Sequence, residues 1–124
     1  MTMRSALGRV RGLGSAHAGT HHWWMQRVSA LALIPCTVVL VVVLARLGAG
    51  QHADVLTAFR MPWLAVTAMV AVFALFWHLK LGLQVVIEDY VHGRAAELGL
   101  QLFNTAFCVV LGLACELALL KLAL

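Results

Sequence analysis

The sequence predicts an all-α integral membrane protein with three transmembrane helices and a cytoplasmic N-terminus. The first observation is composition: of 124 residues, 63% are hydrophobic and only 11% are charged. A soluble domain of this size needs roughly a quarter of its residues charged to cover its surface, which excludes a lone water-soluble globule. The second is that three apolar runs each approach or exceed the about 20 residues that one crossing takes. The third is an uneven spread of basic residues, which sets the orientation.

Residues 1–27 form a polar, basic N-terminal segment carrying Arg4, Arg9, Arg11 and Arg27 and no acid. It leads into the first apolar run, Val28 to Leu47, interrupted only by Arg46 near its far end. A cleaved signal peptide matches poorly, because the basic region is too long, the apolar run exceeds an h-region and no clean A-x-A site follows. The run is therefore expected to be the first span, opening a three-helix anchor over residues 28–124. A polar loop follows from Gly48 to Met61, and Pro62 stands where a first-turn proline opens a helix.

The second span is expected over residues 62–87, about 39 Å at 1.5 Å per residue. That exceeds the about 30 Å hydrocarbon core, so Glu88 to Arg94 should lie at the interface. The third is expected over residues 98–124, with Glu116 inside it and Lys121 near its end. An N-in orientation places Arg4, Arg9, Arg11, Arg27 and Arg94 in the cytoplasm, against Arg46, Arg60 and Lys121 opposite. The excess of basic residues on the inside favours that orientation. Cys36, Cys108 and Cys115 all fall in apolar runs without a CxxC pair and read as small hydrophobes.

His78 is the one histidine well within an apolar span. An intramembrane imidazole is costly without a partner and marks a functional site by default. At 100° per residue, Thr67, Ala71, Ala74, Gly82 and Asp89 fall within about 40° of it, and all but Asp89 at the interface are small. Two readings fit this stripe. Either His78 hydrogen-bonds across a tightly packed helix pair, or it is a haem axial ligand with Gly82 leaving room for the macrocycle. In the haem reading a partner chain gives the second ligand, since no other histidine lies at comparable depth.

Asp89 is about 16 Å further along the same helix and only about 20° around it. Tyr90 follows, so a carboxylate and a phenol meet at the interface, where they could hydrogen-bond a quinone headgroup or simply anchor the span. Arg27 follows His21, His22, Trp23 and Trp24. This is an aromatic belt with a snorkelling cation, or a cation for a lipid phosphate or haem propionate. Lys80 points about 200° from His78, and Glu116 has no specific account.

The run from His78 through Gly82 and Val86 to Asp89 and Tyr90 resembles the H-x-x-x-G-x-x-x-V-x-x-D-Y signature of the D-type cytochrome b anchor subunit of succinate dehydrogenase (complex II). Arg27-Val28-Ser29-Ala30 resembles the R-x-[ST]-A run that opens that family's first helix. Gly12 to Ala16 and His21 to Trp24 look like its alphaproteobacterial branch.

The resemblance implies a non-flavin, multi-pass subunit of the bacterial inner membrane, not catalytic alone, serving electron transport and the tricarboxylic acid cycle. It implies that His78 is one axial ligand of a haem b shared with a C-type anchor subunit. It also implies that Tyr90 hydrogen-bonds ubiquinone with Asp89 in support, and that Arg27 lies near the haem propionates. Partners would be the C-type, iron–sulfur and flavoprotein subunits together with membrane lipid. An anchor of a fumarate reductase or related menaquinone enzyme, or a haem-free scaffold, are the competing classes. The net charge of +4 sits wholly in residues 1–27, so it is a topology signal and a possible lipid contact and not a nucleic-acid surface.

Overall fold

The computed structural model describes residues 5–11, 18–48 and 52–124. They form α1 (Ala6–Val10), α2 (Ala18–Leu47), α3 (His52–Phe59), α4 (Pro62–Tyr90) and α5 (Arg94–Ala123), with no strand among them. Helices α2, α4 and α5 are each long and apolar enough to cross a membrane, and in hydrocarbon a helix is the form that satisfies its own backbone groups.

Helix α2 begins ten residues before the apolar run, at Ala18. The polar residues that precede Val28 thus extend the span, because backbone hydrogen bonding continues beyond the point where hydrophobicity stops. Pro35 lies inside α2 and removes one backbone donor, which a transmembrane helix tolerates where neighbouring groups compensate. Helix α4 opens as expected with Met61 as N-cap and Pro62 in its first turn. It runs on through Asp89 and Tyr90 until Val91 turns extended. Helix α5 starts at Arg94, after Gly93 caps it in extended conformation.

Helix α4 is the shared partner. It packs against both α2 and α5, which do not contact each other among the described residues. A third of its most apolar window is buried, against 6% for each outer helix. Small side chains make this possible: Ala65, Ala68, Ala71 and Ala74 are all buried along α4, and small residues let neighbouring backbones approach closely in a membrane.

One end of the bundle is plugged. Phe59, Leu64 and Ala68 form a core there, joined by Leu40 and Val43 of α2 and Leu119 and Leu122 of α5. Helix α3 supplies Phe59 and Val55 to this plug. It occupies the segment expected to be a plain polar loop. Its apolar residues Val55, Leu56, Ala58 and Phe59 recur at helical spacing, but eight residues are too few to announce a helix by periodicity. The other end, where the N-terminal half of α2 meets the C-terminal half of α4, is open and polar.

Candidate functional site

Helices α2 and α4 run antiparallel, so the start of one faces the end of the other. His78 Nδ1 lies 3.1 Å from Ser29 Oγ, and His78 Nε2 lies 3.3 Å from the Gln26 side-chain Nε2. Ser29 donates its hydroxyl proton to the Gln26 main-chain carbonyl at 3.0 Å. Gln26 and Ser29 are three apart on α2, so both present to one face. Ser29 is buried and His78 half-buried. The imidazole is thus clasped at both nitrogens by one turn of α2.

Beside this clasp a cleft of about 600 Å³ opens between the two helices, lined on α2 by Gly19, His22, Trp23, Gln26 and Arg27 and on α4 by Gly82, Gln84, Val85 and Glu88. A Cβ added at Gly82 would stand 3.6 Å from Gln26 Nε2, an ordinary contact. Close helix packing therefore does not require glycine here, whereas a ligand lying across the helix would.

Two atoms at the cleft are buried without a partner among the described residues: His22 Nε2 and Gln26 Oε1. An unpaired buried polar group costs roughly 1–3 kcal/mol, so the cleft is polar in excess of what the chain itself can satisfy. No cluster of three or more His, Cys, Asp or Glu side chains able to hold a metal ion occurs among the described residues. An iron held at this site would therefore need some of its ligands from outside the described residues. The residues fit a flat cofactor of that kind: one histidine nitrogen within a membrane-length helix, a glycine one turn from it, unpaired polar atoms along the wall and the Arg27 cation in the lining.

The residues singled out by sequence are only partly brought together. His78, Gly82 and Arg27 share the α2–α4 side, with the Arg27 guanidinium 5.5 Å from the centre of the Trp23 ring. Asp89 and Tyr90 end α4 beyond the cleft lining. Both are exposed, Tyr90 at 78%. Of the small stripe, Ala71 and Ala74 are buried in helix packing. Thr67 spends its hydroxyl on the Trp63 carbonyl at 2.8 Å, a local back-bond of the helix.

Three residues of the site, His22, Gln26 and Ser29, are not picked out as partners of His78 by the sequence alone. The signal for them is their i, i+4 and i+7 spacing on one face, which an apolar run beginning at Val28 conceals and a helix beginning at Ala18 reveals.

Lys80 faces α5, with its ammonium 5.7 Å from the Trp77 ring. It lines a separate groove of about 260 Å³ between α4 and α5, with Glu116 also in its wall.

Residues 1–113 match the family described as succinate dehydrogenase/fumarate reductase transmembrane subunit. The chain is 30% identical over 117 residues to the succinate dehydrogenase hydrophobic membrane anchor subunit of Rickettsia conorii, covering 94% of this chain and 93% of that one. It is 33% identical to the subunit of the same description from Rickettsia bellii, covering 71% and 70% of the two chains. The one from Paracoccus denitrificans is also 33% identical, over 79% and 75%. No solved structure matches significantly. With a match of that extent and three membrane-length helices, the chain belongs to the succinate dehydrogenase/fumarate reductase transmembrane subunit family.

Proposed function

We propose that this chain is the D-type membrane anchor of a succinate:ubiquinone oxidoreductase, inserted in the bacterial inner membrane with its N-terminus in the cytoplasm. His78 supplies one axial ligand to a haem b, and a C-type anchor subunit supplies the other. The observation that carries this reading is the clasped imidazole of His78, at membrane depth and beside a cleft whose wall holds two unpaired polar atoms.

Haem, when bound, supplies one-electron redox chemistry, and the protein positions and tunes it. Arg27, in the lining of the cleft, offers a cation to the propionates. The exposed Tyr90 and Asp89 at the end of α4 are free to meet ubiquinone between this chain and its partners, with the Tyr90 hydroxyl donating to a quinone carbonyl. Flavoprotein and iron–sulfur subunits carry electrons from succinate to this end of the anchor. The chain alone is not catalytic.

The test is to purify the complex through this chain, identify the accompanying polypeptides and record its reduced-minus-oxidised optical spectrum. Co-purification of a flavoprotein, an iron–sulfur protein and a second anchor with a b-type signal is the expected result. A complex with no b-type signal would sink the haem assignment.

A further inference from the structure

We infer that Ser29 is a positioning residue that fixes the ring tautomer of His78, putting the proton on Nδ1 and leaving Nε2 as the ligand nitrogen. The inference about the iron rests on the haem reading above; the tautomer itself does not.

The argument is a count of protons. Ser29 Oγ is 3.0 Å from the Gln26 main-chain carbonyl oxygen, which carries no proton, so the hydroxyl must donate there. A hydroxyl has one proton and otherwise only lone pairs. Its second contact, to His78 Nδ1 at 3.1 Å, is then one in which Ser29 accepts and the imidazole donates. A neutral imidazole with its proton on Nδ1 has a bare lone pair on Nε2.

The Gln26 side chain agrees with this assignment. Its amide nitrogen, a donor, stands 3.3 Å from His78 Nε2. Its acceptor oxygen is left buried with no partner among the described residues. Turning the amide over would face two acceptors and leave an N–H orphaned instead.

Ser29 is only 6% exposed, so water does not compete for the contact. The clasp therefore holds a metal-ligating tautomer ready, with the lone pair covered by one long amide contact. A group binding at Nε2 displaces only that contact, and the Nδ1 to Ser29 bond remains. Histidine ligands generally donate their other ring N–H to such an acceptor, which orients the ring and raises its basicity.

Two measurements test this. In the full-length chain in detergent micelles, nitrogen NMR of the His78 ring, identified by its absence in His78→Ala, should show protonated Nδ1 and bare Nε2. Ser29→Ala should yield a mixture of tautomers. A wild-type ring protonated on Nε2 would overturn the inference.

In the purified complex, Ser29→Ala should weaken haem retention by about 10- to 100-fold, the usual cost of losing such a support. It should also raise the haem midpoint potential, since a less basic imidazole stabilises ferric iron less. Ser29→Thr, which keeps the hydroxyl, should restore both. An unchanged potential and haem content in Ser29→Ala would overturn the positioning role. A wild-type complex without haem would instead defeat the haem reading, and the nitrogen spectrum would still decide the tautomer.

Discussion

The side-chain amide of Asn104 on α5 donates to the main-chain carbonyl of Lys80 on α4 at 2.9 Å, across the α4–α5 interface. Asn104 is 4% exposed, and its own carbonyl oxygen lies 3.5 Å from Cys108 Sγ, which donates to it. Both ends of the amide are thus employed, and the α4–α5 pair is joined by a polar link and not by packing alone. In a membrane such links hold helices together where no hydrophobic force acts between them.

Asn104→Leu, similar in bulk, should therefore loosen α5 from α4 without changing insertion. The expected loss is about 0.6 kcal/mol and at most about 1.7 kcal/mol, the range for interhelical hydrogen bonds in membrane bundles. Reversible unfolding of the chain in mixed micelles would read it. A variant as stable as the parent would show that the link is idle.

Gly82 separates packing from ligand binding. Its added Cβ would meet Gln26 Nε2 at 3.6 Å, so Gly82→Ala should fold normally and gain up to about 1 kcal/mol from helix propensity. Gly82→Leu would push a branched side chain into the cleft. We expect that variant to insert and join its partners but to lose haem, as read by the b-type absorbance per complex. Full haem content in the Leu variant would mean that the cleft is not the cofactor's.

Which parts of this protein were legible in its sequence follows from the range of each signal. The three spans were plain because some twenty apolar residues announce themselves regardless of neighbours. Helix α3 was not, since its one buried anchor, Phe59, gains its meaning only from Leu64 and Ala68 across the plug. His78 stood out because a polar ring in hydrocarbon is anomalous by itself. Gln26 and Ser29 did not, being ordinary residues at the edge of a polar segment until the antiparallel pairing of α2 and α4 brings them to the imidazole. That Glu116 and Lys80 line one groove needed the α4–α5 pairing in the same way.

His78→Ala removes the proposed ligand nitrogen together with two hydrogen bonds to α2. The plug at the far end, with Leu40 and Val43 of α2 against Leu64 and Ala68, remains to hold the helices. The chain should therefore still insert, and the b-type signal should disappear or change its ligand signature. An unaltered spectrum would rule out His78 as the ligand.

Tyr90 is mostly exposed, and Phe would preserve whatever its ring does as an interfacial anchor. Tyr90→Phe thus removes one hydroxyl and leaves the fold intact. A neutral hydrogen bond is worth about 0.5–1.5 kcal/mol, so quinone reduction should slow roughly two- to tenfold. Succinate oxidation with a soluble artificial acceptor should continue at the parent rate. Equal loss of both activities would point to faulty assembly.

Glu116 and Lys80 share one groove without forming an ion pair among the described residues. Glu116 Oε2 is buried with no partner there, and the Lys80 ammonium lies instead by the Trp77 ring. A carboxylate inside a span is costly unless something pairs with it. An amide of the same shape removes the charge and keeps the capacity to hydrogen-bond. Glu116→Gln should therefore raise the stability of the isolated chain in micelles, read by the same unfolding assay. Lys80→Gln should do so less, because the longer lysine already covers its charge with an aromatic face. A fall in stability for Glu116→Gln would show that the charged carboxylate is what the α4–α5 pair requires.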